Sequence, residues 1–363
     1  MKVDHIVSSL SNLGGPAYSV PALSRALTGL GIDSRLLAPD GNIGDARRWG
    51  APATNTHFIR ELIRDSREGA VVHNHGLWRW PNVLVGLTRK LSGKSRLVIS
   101  PRGMMHGDAW AIRRFRKELF WRSAQRIVLS ADCFHVTSTV EAEWVRKRGY
   151  RGPIVCIPNG VDLPTLSPRH ERTHRTVLYL GRLAPIKGLD LLLQAWAALE
   201  PAFPGWRLRL VGPDESGTLT SLKYLASMLR LKRVSFSGSV AGEQKRQAFE
   251  NTDVFVLPSK SENFGLVVAE ALAYRLPAVA SRGAPWSELE EHRCGRWVER
   301  TRDGLSDGLK SLMMLSDEAR QEYGRRGRQL VSKRYSWPTI ASSFRDVYEW
   351  LNTNSQAAPS SLL

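Results

Sequence analysis

The sequence predicts an α/β protein built as two doubly wound domains. Three observations carry this. The chain has 363 residues, more than one hydrophobic core usually holds. Short apolar runs that end in turn residues alternate with helix-like stretches, the pattern of a parallel sheet with helices on both faces. The alternation breaks once, at residues 159–175, "NGVDLPTLSPRHERTHR", where Pro, His and charged residues follow no period. The expected organisation is a Rossmann-like domain over 1–165 and a second over 166–335. A closing helix over 336–353 and a flexible tail over 354–363 follow.

Each element has its own signal. "KVDHIVSSL" reads as a first strand, and "AYSVPALSRALTGLG" as a helix with a glycine stop. "DSRLLAP", "AVVHNHG", "SRLVISPRG", "CFHVTST" and "GPIVCIPNG" are short apolar runs closed by turn residues. Helical stretches such as "WAIRRFRKELFWRSA" and "VEAEWVRKRG" separate most of them. After the break come "TVLYLGRL", "LDLLLQAWAAL", "WRLRLVGPD", "VSFSGSV", "DVFVLPS", "LVVAEALA" and "PAVASR". The last helix, "SWPTIASSFRDVYEWLN", is amphipathic and aromatic. No repeat of 20–50 residues is visible.

Composition narrows the class. Hydrophobic residues make up 42% and charged residues 24%, the balance of a soluble globular protein. No apolar run approaches the ~18 residues that cross a bilayer, and the amino terminus lacks the pattern of a signal peptide. Cys133, Cys156 and Cys294 are far apart and read as free thiols in a reducing compartment. Net charge is +18, and residues 1–165 hold the larger part of the excess. Such a surface attracts nucleic acid, anionic lipid or phosphorylated small molecules.

Ligands in open parallel sheets bind beyond the carboxyl ends of the strands, so the loops after the strands hold the candidates. In "LGRLAPIKG", Arg182 and Lys187 lead into a helix start. Two cations there suit a diphosphate without a metal, though ordinary surface loops also carry Arg and Lys. In "SENFGL", Ser261 or Asn263 caps a helix, and Gly265 lets a ligand approach the backbone near Phe264 and Leu266. Glu262 lies in this loop and Glu270 in the helix. A helical path between them spans ~12 Å, comparable with the reach from a ribose to the sugar beyond its diphosphate. Glu262 could instead answer the helix dipole. Glu270 sits among Val267, Val268, Ala269, Ala271 and Leu272, so a half-buried acid there needs donors, and ribose hydroxyls serve.

At the amino end "SNLGGPAYS" places Gly14 and Gly15 between the first strand and the first helix. It is not G-x-G-x-x-G, which disfavours a dinucleotide-binding dehydrogenase. A phosphate or sugar could lie against these glycines, or they form a plain turn. "HNHG" ends a strand with His75. Its two histidines, without nearby Cys or acids, do not make a metal site by spacing. Over 110–122 "WAIRRFRKELFWR" carries Arg113, Arg114, Arg116, Lys117 and Arg122, with Arg126 just beyond, among Trp110, Phe115, Leu119, Phe120 and Trp121. This reads as a packed helix with a basic outer face, or as an interfacial helix on anionic lipid.

The spacing E-x7-E in "ENFGLVVAE", after "GRLAPIKG" and "VSFSGSV" and before "PAVAS", resembles the retaining, nucleotide-sugar-dependent glycosyltransferases of family four. "SPRGMMHGDAW", "STVEAEWVRKRGY" and "IPNGVDLP" look like the bacterial branch that builds lipopolysaccharide, capsule and exopolysaccharide. The resemblance runs from Gly14 to the final helix. It implies the GT-B fold, two Rossmann-like domains facing a central cleft, the first for the acceptor and the second for the nucleotide sugar. By the same resemblance Glu270 holds the ribose, and Arg182 and Lys187 grip the diphosphate. Glu262 and the backbone of Asn263 to Leu266 contact the donor sugar, and Gly14 and Gly15 close over the donor. It further implies transfer of a hexose from a UDP- or GDP-sugar to a saccharide or polyprenyl-diphosphate-linked acceptor, on the cytoplasmic face of a membrane. Many members carry a His after the fourth strand; here that place holds Arg102, with His106 the nearest His, and either could serve.

No D-x-D acid pair signals a metal–diphosphate bridge, so no metal and no cofactor are expected. Two other readings compete. One is another GT-B sugar-nucleotide enzyme, such as an epimerase. The other is a basic nucleic-acid-binding protein, which would need a helix-turn-helix, zinc pattern or RNP-like strand, and none is present.

Overall fold

The computed structural model describes residues 1–8, 15–39, 55–92, 94–111, 114–167, 173–214, 217–353 and 358–363. The chain divides into two compact units. Unit 1 is Met1–Gly160 with Trp337–Leu363, and unit 2 is Val161–Ser336.

Unit 1 holds β1 (Lys2–Val7), β2 (Asp33–Leu37), β3 (Val71–His75), β4 (Arg96–Ser100), β5 (Cys133–Val136) and β6 (Ile154–Cys156). They form one parallel sheet in the order β2-β1-β3-β4-β5-β6. Unit 2 holds β7 (Arg175–Leu180), β8 (Trp206–Val211), β9 (Val234–Ser237), β10 (Val254–Leu257), β11 (Ala278–Ser281) and β12 (Gly295–Val298). Its order is β12-β11-β10-β7-β8-β9, also parallel. Parallel strands are covered on both faces, which is why "VFVL" of β10 is apolar and buried throughout. The direction of winding reverses between β1 and β3 in unit 1 and between β7 and β10 in unit 2.

The closing helix Trp337–Thr353 belongs to unit 1. It buries Trp337, Ile340, Ala341, Phe344, Val347, Tyr348 and Leu351, a stripe at helical spacing. The stripe packs with the helix Gly15–Gly29 and with Val98, Cys133 and Val155 of the sheet. The expected flexible tail departs from this structure. Residues 354–357 lie outside the described residues, but Ser361 accepts the Cys156 N–H at 2.8 Å and Leu363 donates to the Ile154 carbonyl at 2.8 Å. The physical reason is the open edge of β6, whose unpaired backbone groups take up the end of the chain. Over the expected basic helix the described residues are helical, Gly107–Ala111 and Arg114–Val128, and residues 112–113 lie outside the described residues.

The same face of the unit 1 sheet, under the closing helix, turns polar at the carboxyl ends of its strands. Side chains two apart on a strand share a face, so His73 and His75 lie together, beside His5 of β1, Ser100 of β4 and His135 of β5. All are buried. The hydrogen bonds run in one direction. His135 Nε2 donates to the Ile157 carbonyl at 2.8 Å, which leaves its Nδ1 as an acceptor for the Ser100 hydroxyl at 2.6 Å. Ser100 Oγ accepts from His73 Nε2 at 2.6 Å, and His73 Nδ1 accepts from the Tyr348 hydroxyl at 2.6 Å. Burial keeps these rings neutral: it pulls His5 and His135 down to about 3, with the nearby Arg102 charge adding to the effect.

Two outcomes follow from this packing. Gly324 lies in the helix Asp317–Arg334, where a Cβ would meet the Arg275 carbonyl oxygen at 2.0 Å. Alanine gains about 1 kcal/mol of helix propensity, but a backbone clash outweighs it. Gly324→Ala is expected to lower stability by about 1–3 kcal/mol, read as the urea midpoint of unfolding. The second concerns pH. A histidine neutral in the fold but titrating near 6.5 when unfolded binds its proton only on unfolding. Its contribution is complete above 6.5 and is lost as the pH falls toward the folded value of about 3. Each such ring lowers the unfolding free energy by about 1.4 kcal/mol per pH unit in that window. Melting at pH 5, 6 and 7 should show a steep fall, and His135→Asn should flatten it; an unchanged slope would contradict the neutral core.

Candidate functional site

The winding of unit 2 reverses between β7 and β10, and the loops that follow these two strands carry the predicted residues. After β7 the chain turns at Gly181, whose N–H donates to Val211, and Leu183 donates to Pro213 at 2.9 Å. The Tyr179 hydroxyl donates to the Arg182 carbonyl at 2.7 Å. This loop is therefore tied to the end of β8, and the Arg182 residue remains exposed. A short 3-10 turn, Pro185–Lys187, leads through Gly188 into the helix Leu189–Leu199. Gly188 has φ +65, and a Cβ would stand 2.4 Å from the Pro258 carbonyl oxygen, so only glycine fits where the two loops touch.

Lys187 and Glu262 meet across these loops. Lys187 Nζ lies 2.5 Å from Glu262 Oε1, both side chains 15% exposed. The Ser259 hydroxyl donates to the same oxygen at 2.7 Å. Lys260 N–H donates to the Ile186 carbonyl at 2.8 Å, and Glu262 N–H to Gly283 at 2.8 Å. An ammonium carries three donors, and Glu262 takes one of them. Beyond Glu262 the helix Leu266–Ala273 begins at Gly265, φ +76. Its first amides have no carbonyl one turn back. Leu266 opens this helix, while Asn263 is half-buried in the loop. The Phe264 ring is core, packed on Trp286 and Tyr335, with its carbonyl accepting from Trp286 Nε1 at 2.7 Å.

Glu270 is buried one turn into that helix, and Lys245 of the helix Gly242–Glu250 reaches it at 2.6 Å. Burial raises the Glu270 carboxyl above its ordinary range, and Lys245 opposes the shift. Sequence reading did not find Lys245: an isolated lysine 25 positions away carries no local signal. Ser259 was missed too, although "LPSKSE" places it directly at the end of β10.

In unit 1 the structure brings His75 and Arg102 together and leaves His106 apart. Arg102 Nη2 donates to His75 Nδ1 at 3.1 Å and Nη1 donates to Asn159 Oδ1 at 2.7 Å. His106 packs instead against Trp144, ring centres 5.3 Å apart. Gly15 is exposed at the start of its helix, and Gly14 lies outside the described residues. His5, His73 and His75 offer nitrogens within 4.8 Å of one another, a spacing open to a metal ion. Their chemistry opposes it. Both nitrogens of His73 are engaged, and a cation would stand beside the guanidinium on His75.

Comparison with known proteins follows the same division. The family described as Glycosyltransferase Family 4 matches residues 13–164, and Glycosyl transferases group 1 matches residues 167–330. A GDP-mannose:cellobiosyl-diphosphopolyprenol alpha-mannosyltransferase of Xanthomonas oryzae pv. oryzae is 27% identical over 86% of this chain and 83% of its own. A phosphatidyl-myo-inositol mannosyltransferase of Mycobacterium leprae is 33% identical over 54% of each chain, so the match spans about half that relative's length. Among solved structures, sucrose-phosphate synthase from Thermosynechococcus elongatus shares the fold, with a TM-score of 0.77 at 22% identity over 98% of this chain and 100% of that one. Two consecutive family matches that leave little of the sequence uncovered, on two parallel sheets of this topology, show that the chain belongs to the family-four glycosyltransferases of the GT-B fold.

Proposed function

We propose that this chain transfers a hexose, with retention of configuration and without a metal, from a UDP- or GDP-sugar. The acceptor is a saccharide or a polyprenyl-diphosphate-linked sugar of cell-surface polysaccharide synthesis. The observation that carries the reading is the Lys187–Glu262 pair at the β7/β10 reversal, with Arg182 in the same loop as Lys187, where open parallel sheets bind ligands. The Xanthomonas relative, named for GDP-mannose and a diphosphopolyprenol, supports both substrate classes.

The chemistry assigns the roles. When the sugar–oxygen bond to the diphosphate breaks, negative charge grows on the diphosphate and positive character on the sugar ring. Arg182 and Lys187 meet the leaving charge, and the first amides of the helix Leu266–Ala273 add their dipoles. Glu262 fixes the Lys187 ammonium in advance, so little reorganisation is left for the reaction itself. Its remaining oxygen and the Asn263–Leu266 backbone face the donor sugar. Glu270 holds the ribose hydroxyls, sharing its carboxylate with Lys245. Two cations that already neutralise a diphosphate do the work a divalent ion would otherwise do.

The chain works on the cytoplasmic face of a membrane, held by its basic helix. On Arg114–Val128, Phe115 is 82% exposed and Leu119 63%. They stand one turn apart among exposed Arg114, Arg116 and Arg122, the composition of an interfacial helix on anionic lipid. Arg113 and the Arg126 side chain lie outside the described residues. Among the described residues no helix is long and apolar enough to cross a membrane.

Lys187→Ala and Arg182→Ala are each expected to lower turnover about 100-fold with circular dichroism unchanged, and chelator should leave the parent rate unaltered. Near-normal turnover in both variants would remove the diphosphate clamp. Arg114→Ala with Arg116→Ala is expected to weaken sedimentation with phosphatidylglycerol vesicles about 30-fold, from roughly 1 kcal/mol per cation; equal sedimentation would remove the lipid contact.

A further inference from the structure

Arg102 presents an electrostatic anomaly. It follows β4 in unit 1, beside His75 at the end of β3. Burial around its guanidinium is deep enough to draw its pKa down to about 10, so it stays charged at neutral pH. Both of its side-chain hydrogen-bond partners are neutral, Asn159 at 2.7 Å and His75 at 3.1 Å. Its Nε is buried without a hydrogen-bond acceptor. Among the described residues no carboxylate lies within ion-pair distance of it. The acid nearest by its electrostatic effect, Glu141, is committed elsewhere: Oε1 accepts from Gly103 N–H at 2.5 Å and Oε2 from Thr137 N–H at 2.9 Å. A buried charge without a counter-charge is unfavourable by several kcal/mol, and the fold holds it there even at φ +54, a backbone region costly for arginine.

The histidines behind it are set as acceptors. Arg102 Nη2 needs an unprotonated His75 Nδ1, so His75 Nε2 carries the hydrogen and donates to His5 Nδ1 at 3.0 Å. His5 Nε2–H is then buried with no partner. The chain orients the guanidinium without neutralising it. The Arg102 residue as a whole is only half-buried, so part of it remains open to a ligand.

We infer that Arg102, braced by Asn159 and the His75–His5 pair, is an anion subsite of unit 1 that takes a phosphate or diphosphate group. The inference rests on the proposed transferase reading and deepens it: the acceptor substrate carries a phosphate. Arginine suits this ligand because its planar donors match phosphate oxygens in pairs.

The test uses the full chain carrying Arg182→Ala and Lys187→Ala, which empties the donor's own diphosphate clamp. Calorimetric titration with inorganic pyrophosphate should still show one site. Adding Arg102→Gln should weaken it at least about 10-fold, the loss of a charged hydrogen bond. Asn159→Asp keeps the guanidinium but supplies the missing carboxylate, and should weaken pyrophosphate to a similar degree while raising the melting temperature. Absent binding in the starting protein, or unchanged binding in a folded Asn159→Asp variant, would overturn the subsite. Farnesyl diphosphate against inorganic phosphate separates the sources: at least tenfold tighter binding of the former assigns a lipid-linked acceptor, and equal binding overturns that assignment in favour of free phosphate. Failure here with Lys187→Ala still inactive leaves the donor site standing.

Discussion

A parallel sheet cannot return its chain by a hairpin; every connection must cross over one face. Where successive crossovers change sides, two neighbouring loops diverge and leave a crevice at the carboxyl end of the sheet. Unit 2 makes that reversal between β7 and β10, and nearly all the chemistry of its candidate site depends on it. Arg182 and Lys187 follow one strand, and Glu262 follows the other. Gly188, with no room for a side chain against Pro258, lets the two loops come close enough for Lys187 and Glu262 to pair.

The units treat buried charge in different ways. In unit 2 the important cations lie against acids, Lys187 with Glu262 and Lys245 with Glu270. Each pair is partly exposed, so a ligand can compete for it without leaving a bare charge in the interior. In unit 1 Arg102 faces a histidine and an asparagine. Neutral acceptors orient a guanidinium but leave its field intact. The buried polar cluster behind it is directional, from the Tyr348 hydroxyl through His73, Ser100 and His135 to the Ile157 carbonyl. One proton added anywhere along that series would reverse a donor, and burial opposes the addition.

Much of the fold was legible in the residues. The alternation of apolar runs and helical stretches marked both sheets, and the unpatterned stretch after Asn159 overlaps the change from unit 1 to unit 2 at Gly160. The E-x7-E spacing marked the loop and helix that hold Glu262 and Glu270. Other features left no local mark. Lys245 reaches Glu270 from a separate helix, and "HNHG" looked like an isolated pair because His5 and His135 come from distant strands. The terminal Ser361–Leu363 segment has the composition of a loose end, yet the edge of β6 captures it.

By itself the sequence determined which residue types stand after which strands, because apolar periodicity and turn residues are local properties of the chain. It also determined the family, since spacing within one loop and helix survives translation into any fold. Only the tertiary structure decided which charges are partnered and which are left bare. Pairing depends on distances of a few ångströms between segments dozens of residues apart, and strand order, not sequence order, sets those distances.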